Sequence, residues 1–215
     1  MRDWDKIAQE MNKICAIERE VSLAQLTSFG VGGPARILAQ PADRNELAHC
    51  LKFIQERELD FFIIGNGTNL LISDKGFDGV IVGTSYDLDE IEQITDDLWQ
   101  WGAGVSLWRA ITHSADENYA GLEPLAGIPG SVGGATVMNA NAYGVSFFDK
   151  VQSVEILIPD KGYVQYKPEQ LNPSYRKVNI PHRAIVTAVQ VKLEHDEGRD
   201  IKIRINDFLT RRSVS

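Results

Sequence analysis

Leu125–Gly144, LAGIPGSVGGATVMNANAYG, carries five glycines (Gly127, Gly130, Gly133, Gly134 and Gly144), one proline, four alanines and no charged residue. Linkers of this length are normally polar, so the stretch is not a solvated tether. Glycine lacks the Cβ that would hold a ligand or another chain away, which marks this backbone as one that approaches something closely. Ser131 predicts a capped helix over residues 132–138, with amide N–H groups turned toward whatever lies above Gly130, an arrangement suited to an anion. The alternative is that these glycines serve tight helix and strand packing, as they do at bulges and close backbone contacts.

A second glycine-rich turn stands upstream. The apolar run Phe61–Ile64 ends in Gly65-Asn66-Gly67-Thr68-Asn69, and Leu70-Leu71-Ile72 follows as a further strand. Gly65-Asn66-Gly67 resembles the opening of a dinucleotide fingerprint, but Leu70 stands where the third glycine belongs and no helix pattern follows, so a Rossmann reading fails. Successive N–H groups in a loop can still cradle phosphate, and two such loops point to a clamp on a diphosphate. A third loop, Thr27-Ser28-Phe29-Gly30-Val31-Gly32-Gly33-Pro34, offers either hydroxyls to a ligand or a sharp structural turn.

Composition bounds the rest. The 215 residues are 43% hydrophobic and 24% charged with a net charge of −8, which fits a globular chain with one large or two small domains and argues against a nucleic-acid scaffold. Local amides and an arginine still suffice for a small anion. Cys15 and Cys50 are too few for a disulfide framework and read as reduced core residues. The four histidines are isolated in sequence, so no metal site is expected. Neither a signal peptide nor a membrane span is visible, and a cytoplasmic location is expected.

Periodicity predicts a helix from Asp3 to Cys15 with Trp4, Ile7, Ala8, Met11, Ile14 and Cys15 on one face, and a second helix beginning at Asp43 with Leu47, Cys50, Leu51 and Ile54 inward. Strands are expected over residues 35–39, 61–64, 80–84, 88–94, 98–101, 151–158, 163–166 and 184–193. Ser106 caps a helix with Leu107, Trp108, Ile111 and Ala115 inward and His113 exposed. Trp99 and Trp101 read as sheet packing. A helical turn at Pro168–Leu171 and a last helix through Ile201, Ile205, Phe208, Leu209 and Arg212 complete the pattern. Mixed helices and strands without strict alternation indicate an α+β fold in two lobes, residues 1–84 and 85–215.

Five motifs carry a resemblance: SFGVGGPA at Ser28–Ala35, GNGTNLLISDKGFDG at Gly65–Gly79, LAGIPGSVGGA at Leu125–Ala135, NAYG at Asn141–Gly144, and Tyr175-Arg176. In this order and rough spacing they resemble the UDP-N-acetylenolpyruvoylglucosamine reductases, flavoproteins of bacterial peptidoglycan synthesis, over roughly Val21 to Arg212. The resemblance implies a vanillyl-alcohol oxidase (PCMH) type fold whose two α+β lobes bind FAD non-covalently. Gly65, Asn66, Gly67, Thr68, Asn69 and Leu70, with Gly127, Ile128, Pro129, Gly130, Ser131, Gly133 and Gly134, would hold its pyrophosphate. Ala140, Tyr143 and Gly144 would lie near the flavin ring. It further implies NADPH, sometimes NADH, as hydride donor, a nucleotide-sugar substrate, and Arg176 as the catalytic cation on the enolpyruvyl carboxylate.

Two departures stand out. Val178 and Ile180 occupy places where the family usually has serine and phenylalanine. The family's substrate-binding third domain, with its proton-donor serine and catalytic glutamate, should begin just after Arg211-Arg212, and no serine or glutamate here takes those roles by motif. The expectation is thus a reductase or its FAD-binding portion, with a shortened flavin-binding or interaction protein as the alternative. Either would tend to self-associate or engage a partner chain over the uncovered site.

Overall fold

The computed structural model describes residues 2–84 and 88–214. Its chain divides into two units, Met1–Leu88 with Ile158–Gly162, and Asp89–Leu157 with Tyr163–Ser215. The boundary expected after residue 84 abuts residues 85–87, which lie outside the described residues.

In unit 1, helix α1 (Trp4–Met11) starts at Asp3, whose carboxylate accepts from the Lys6 N–H, and buries Ile7, Ala8 and Met11. The helix stops a turn earlier than the apolar period predicts: Ile14 and Cys15 lie in the turn leading to β1 (Ala16–Ser22). This strand is absent from the sequence reading because its AIEREVS is mostly exposed and charged, the pattern of an edge strand. It pairs antiparallel with β2 (Pro34–Gln40). Helix α2 (Arg44–Glu56) begins at Asp43, which accepts from the Glu46 N–H, and buries the four predicted residues. Strand β3 (Phe61–Ile64) and strand β4 (Phe77–Gly83) follow, giving the sheet order β1-β2-β4-β3 with β4 parallel to both neighbours.

That parallel pair explains the long loop after β3. Adjacent parallel strands need a crossover of roughly a dozen residues, and here it contains no helix. Leu70-Leu71-Ile72 is not the expected strand. Leu70 and Ile72 pack on the core formed by Leu23, Ala35, Leu38, Ile64 and Ile81, while Leu71 is 78% exposed. The in-out-in alternation imitates a strand without any ladder partner. Cys15 and Cys50 are buried free thiols in contact. The Cys15 contact, then burial, pushes the Cys50 thiol well above its ordinary value, whereas the same contact lowers that of Cys15.

Unit 2 is built on a sheet ordered β11-β10-β12-β6-β5. Its strands are β5 (Ile91–Gln93), shorter than expected, and β6 (Leu98–Gly102). Helix α3 (Leu107–Asp116) follows, started by Ser106, whose hydroxyl accepts from the Arg109 N–H. Trp108 is not inward but 44% exposed, its place on the buried face being taken by Ala110 and Ser114. His113 is half-buried, its ring edge-on to Trp99 at 5.7 Å, rather than exposed. Trp99 and Trp101 are buried, opposite Val191 and Val189 of the neighbouring strand, and each buried aromatic or aliphatic side chain of this core is worth about 1.5–3 kcal/mol.

Strand β7 (Tyr119–Ala120), helix α4 (Val132–Val137) and the hairpin strands β8 (Asn141–Ala142) and β9 (Val145–Ser146) come next. They are followed by β10 (Val151–Ile158), β11 (Gly162–Tyr166), the turn of helix α5 (Pro168–Leu171) and β12 (Ile185–Lys192). Strand β13 (Glu194–His195), paired with β7, leads to helix α6 (Gly198–Val214). The two-residue ladders β7/β13 and β8/β9 have too few residues to show a period. Helix α6 is fixed by Arg204, which reaches the buried Glu123 at 2.8 Å and Asp196 at 2.6 Å. Among the described residues no helix is long and apolar enough to cross a membrane.

Candidate functional site

In unit 1 the predicted Gly65–Asn69 loop is locked to the Thr27–Pro34 loop by backbone. The Ser28 N–H donates to the Gly67 carbonyl at 3.1 Å and the Gly33 N–H to the Ser73 carbonyl at 2.9 Å. Gly67 has φ +63°, and a Cβ there would lie 1.7 Å from the Leu26 carbonyl oxygen. A Cβ on Gly33 would lie 2.1 Å from the Asp74 carbonyl oxygen. At these positions the missing side chain serves chain-to-chain approach, the packing alternative. Thr27 is buried and its hydroxyl donates to the Val31 carbonyl at 3.0 Å, so that hydroxyl closes the loop on itself.

The amides tell a different story. Among the described residues, the N–H groups of Asn66, Gly67 and Asn69 have no backbone carbonyl partner. Gly67 is buried, while Asn66 and Asn69 are exposed and open to solvent, and successive N–H groups of this kind are what an anion needs. The donor set therefore fits a phosphate-bearing group.

In unit 2, Ser131 caps α4 as predicted, accepting from the Gly134 N–H at 3.2 Å. The helix start nevertheless differs from the open cradle expected from sequence. The N–H groups of Val132 and Gly133 donate to the Val105 and Ala103 carbonyls, both at 2.8 Å. The reason is the loop after β6, which passes over the helix start and closes a short ladder between Ser106 and Ser131. Those left without a backbone acceptor, among the described residues, are Gly130 and Ser131. Pro129 and Gly134 present exposed backbone, and Ile128 closes a turn by donating to the Leu125 carbonyl. A Cβ on Gly134 would meet nothing nearer than the Ser131 hydroxyl at 3.5 Å, whereas one on Gly127 would strike Leu209 of α6 at 2.7 Å.

Ala140 is buried, and the hairpin beyond it turns at Tyr143 and Gly144, both with positive φ, 50° and 81°. This is the pattern of a two-residue primed turn. Tyr143 packs its ring on Phe208 at 5.1 Å and lies under the Arg212 guanidinium at 5.9 Å. The hairpin thus rests on α6, a contact no local pattern announces.

Arg176 is exposed, at the tip of a turn closed by Ser174 N–H to Lys177 carbonyl (2.8 Å) and the reciprocal bond (3.2 Å). Its φ is +58°, unusual for a side chain of this size. Its guanidinium lies 5.9 Å from the Tyr175 ring centre. Sequence reasoning missed Asn139, buried at the end of α4 with φ +40°. An asparagine one residue past a helix end is a known left-handed cap signal. Among the described residues no group of three or more His, Cys, Asp or Glu stands close enough to hold a metal ion.

Comparison with known proteins gives the family and the fold. Residues 35–165 match the model of the FAD binding domain. The chain is 34% identical over 187 residues to the UDP-N-acetylenolpyruvoylglucosamine reductase of Syntrophomonas wolfei, covering 86% of this chain and 62% of that protein. It is 33% identical over 215 residues to that of Syntrophus aciditrophicus, covering 97% and 69%. The chain therefore spans about three-fifths to two-thirds of the length of such curated relatives. The crystal structure of the Thermus caldophilus reductase superposes with a TM-score of 0.77 at 33% identity, covering 93% of this chain and 70% of that one. An alkyldihydroxyacetonephosphate synthase superposes at 0.66 with 12% identity, covering 90% and 41%, a likeness of fold alone. The α+β fold is of the vanillyl-alcohol oxidase (PCMH) type.

Proposed function

The chain belongs to the UDP-N-acetylenolpyruvoylglucosamine reductase family, and from that premise we propose that it is such a reductase or the FAD-binding portion of one. The observation that carries the reading is the pair of glycine loops with unengaged amides, Asn66, Gly67 and Asn69 in one unit and Gly130 and Ser131 in the other. Each set is suited, within its own unit, to a phosphate-bearing part of FAD, flanked by Thr68 and Leu70 in unit 1 and by Gly127, Ile128, Pro129, Gly133 and Gly134 in unit 2. Ala140, Tyr143 and Gly144 border the flavin ring, and FAD is bound without a covalent link. When bound, it supplies hydride chemistry, accepting from NADPH and reducing the enolpyruvyl double bond of a nucleotide sugar.

Arg176 does the rest of the work assigned to this chain. Its planar guanidinium meets the enolpyruvyl carboxylate through two parallel N–H···O bonds, orienting the substrate and stabilising the charge that develops beside it. The turn's backbone bonds hold the cation's base in place, so little is reorganised as that charge forms. The same reading places the protein in the cytoplasm. Exposed apolar side chains, Leu71 and Phe29 in unit 1 and Tyr175 in unit 2, support self-association or a partner chain, which size-exclusion chromatography at rising concentration tests.

The test of function is an absorption spectrum of the purified protein, followed by anaerobic NADPH and then the enolpyruvyl sugar nucleotide. Bleaching by NADPH and recovery on adding the substrate are expected. Yellow protein that responds to neither overturns the reductase reading, and colourless protein that takes up no FAD overturns the cofactor assignment as well.

A further inference from the structure

The turn that carries Arg176 is nearly detached. Residues 172–180 hang from α5 through Asn172 N–H to the Pro168 carbonyl and Asn179 N–H to the Leu171 carbonyl, and the tip closes on itself through Ser174 and Lys177. Among the described residues, one hydrogen bond ties that tip to the rest of unit 2: the Asn139 side-chain amide donates to the Ser174 carbonyl at 3.1 Å. The other end of the same amide accepts from the Phe148 N–H at 3.2 Å. Asn139 is 6% exposed, so both ends of a buried amide are committed, one to the segment following the Tyr143 hairpin and the other to the Arg176 turn. A buried amide used at both ends fixes two segments in register. Arg176 needs such fixing, because a left-handed φ on a long side chain persists where its surroundings over-determine it.

We propose that Asn139 is a positioning residue for Arg176: through Ser174 it holds the strained turn, and with it the guanidinium, at a set distance from the Ala140–Gly144 segment. The catalytic part of this inference rests on the reading of Arg176 given above. The holding of the turn does not.

Asn139→Asp separates the two. Aspartate suits the left-handed φ nearly as well as asparagine and keeps the acceptor for Phe148, but it has no donor for Ser174. Limited trypsin digestion, mapped by mass spectrometry, should show cleavage after Arg176 and Lys177 rising about three- to tenfold, the loss of one hydrogen bond's worth of closure. Cleavage after Lys202, in helix α6 of the same unit, serves as the reference and should stay unchanged. In anaerobic half-reactions, flavin reduction by NADPH should proceed at the wild-type rate, while reoxidation by the enolpyruvyl nucleotide slows about as much as cleavage speeds up.

A merely structural role would raise cleavage at Lys202 too and would slow both half-reactions or neither. Unchanged cleavage at Arg176 and Lys177 overturns the proposal. A wild-type protein that never reoxidises defeats the reductase reading alone, and the digestion still decides whether Asn139 holds the turn. Should Asn139→Asp fail to fold, Asn139→Gly suits the same φ but removes both the Ser174 donor and the Phe148 acceptor; unchanged cleavage at Arg176 and Lys177 would still overturn the proposal, and a rise there with Lys202 unchanged would support it.

Discussion

The two glycine loops look alike in sequence, and both meet a neighbouring loop through backbone, but side chains hold only the second as well. In unit 1 the Gly65–Asn69 loop is fixed by backbone meeting backbone, with Gly67 against Leu26 and Gly33 against Asp74. In unit 2 the Leu125–Gly144 stretch is tied by backbone at the start of α4, where the Val132 and Gly133 N–H groups reach the Val105 and Ala103 carbonyls, and side chains add to this: Ser131 on the helix start, Asn139 between two segments, Tyr143 on Phe208, and Glu123 just upstream on Arg204. Glycine in the first loop is a requirement of the fold. In the second, Gly134 presents exposed backbone with nothing packed on it nearer than the Ser131 hydroxyl, the room that the proposed flavin site calls for. The same residue type thus carries stability in one unit and access in the other.

The sharpest way to break this contrast is Gly67→Ala. With a backbone oxygen where the Cβ must go and a left-handed φ, the loop has to shift, and a loss of at least about 3 kcal/mol is expected in denaturant unfolding of unit 1. A loss under about 1 kcal/mol would mean that the interlock is not what holds the loop. Next in size is Arg204→Ala. It leaves the buried Glu123 carboxylate with only the Gly121 N–H and should cost about 1.5–3 kcal/mol, read by chemical denaturation and by faster amide exchange along α6.

Gly144→Ala meets no neighbour within 4 Å but sits at φ +81°, so its cost is conformational, about 1–2 kcal/mol. Gly134→Ala should go the other way. It lies inside a helix with free space around it, and alanine gains about 0.5–1 kcal/mol of stability there. Its flavin affinity should nevertheless fall about tenfold or more, measured by titration of the FAD-free protein. Stability and affinity rising together would show that no ligand approaches Gly134.

The smallest effect is acid sensitivity in unit 2. The Lys150 ammonium holds the Glu194 carboxyl below the usual carboxylate range, and the Arg204 guanidinium does the same for Asp196. Because these folded-state values lie below the unfolded ones, the stabilisation is complete above about pH 5 and is lost as pH falls through the lowered folded-state values. Lys150→Met should flatten the fall of stability in acid while leaving stability at pH 7 within about 1 kcal/mol, since Glu194 is exposed and the pair is screened by solvent.

What the sequence by itself determined is what depends on neighbours along the chain. The caps at Asp3, Asp43, Ser106 and Ser131, the buried face of α2, and strands β3 and β10 follow from hydrogen bonds and periods spanning a few residues, and the five ordered motifs sufficed to identify the family. Tertiary structure decided what depends on distant partners. The Val105 and Ala103 carbonyls took two of the helix amides that sequence left open, Trp108 went outward, and Leu70-Leu71-Ile72 lost its ladder to a crossover loop. Gly67 and Gly134 acquired different roles, and Asn139 became the tether of Arg176. A glycine or an asparagine records what its backbone can do; which carbonyl stands 2 or 3 Å away is set by chain segments dozens of residues removed, and no local pattern encodes it.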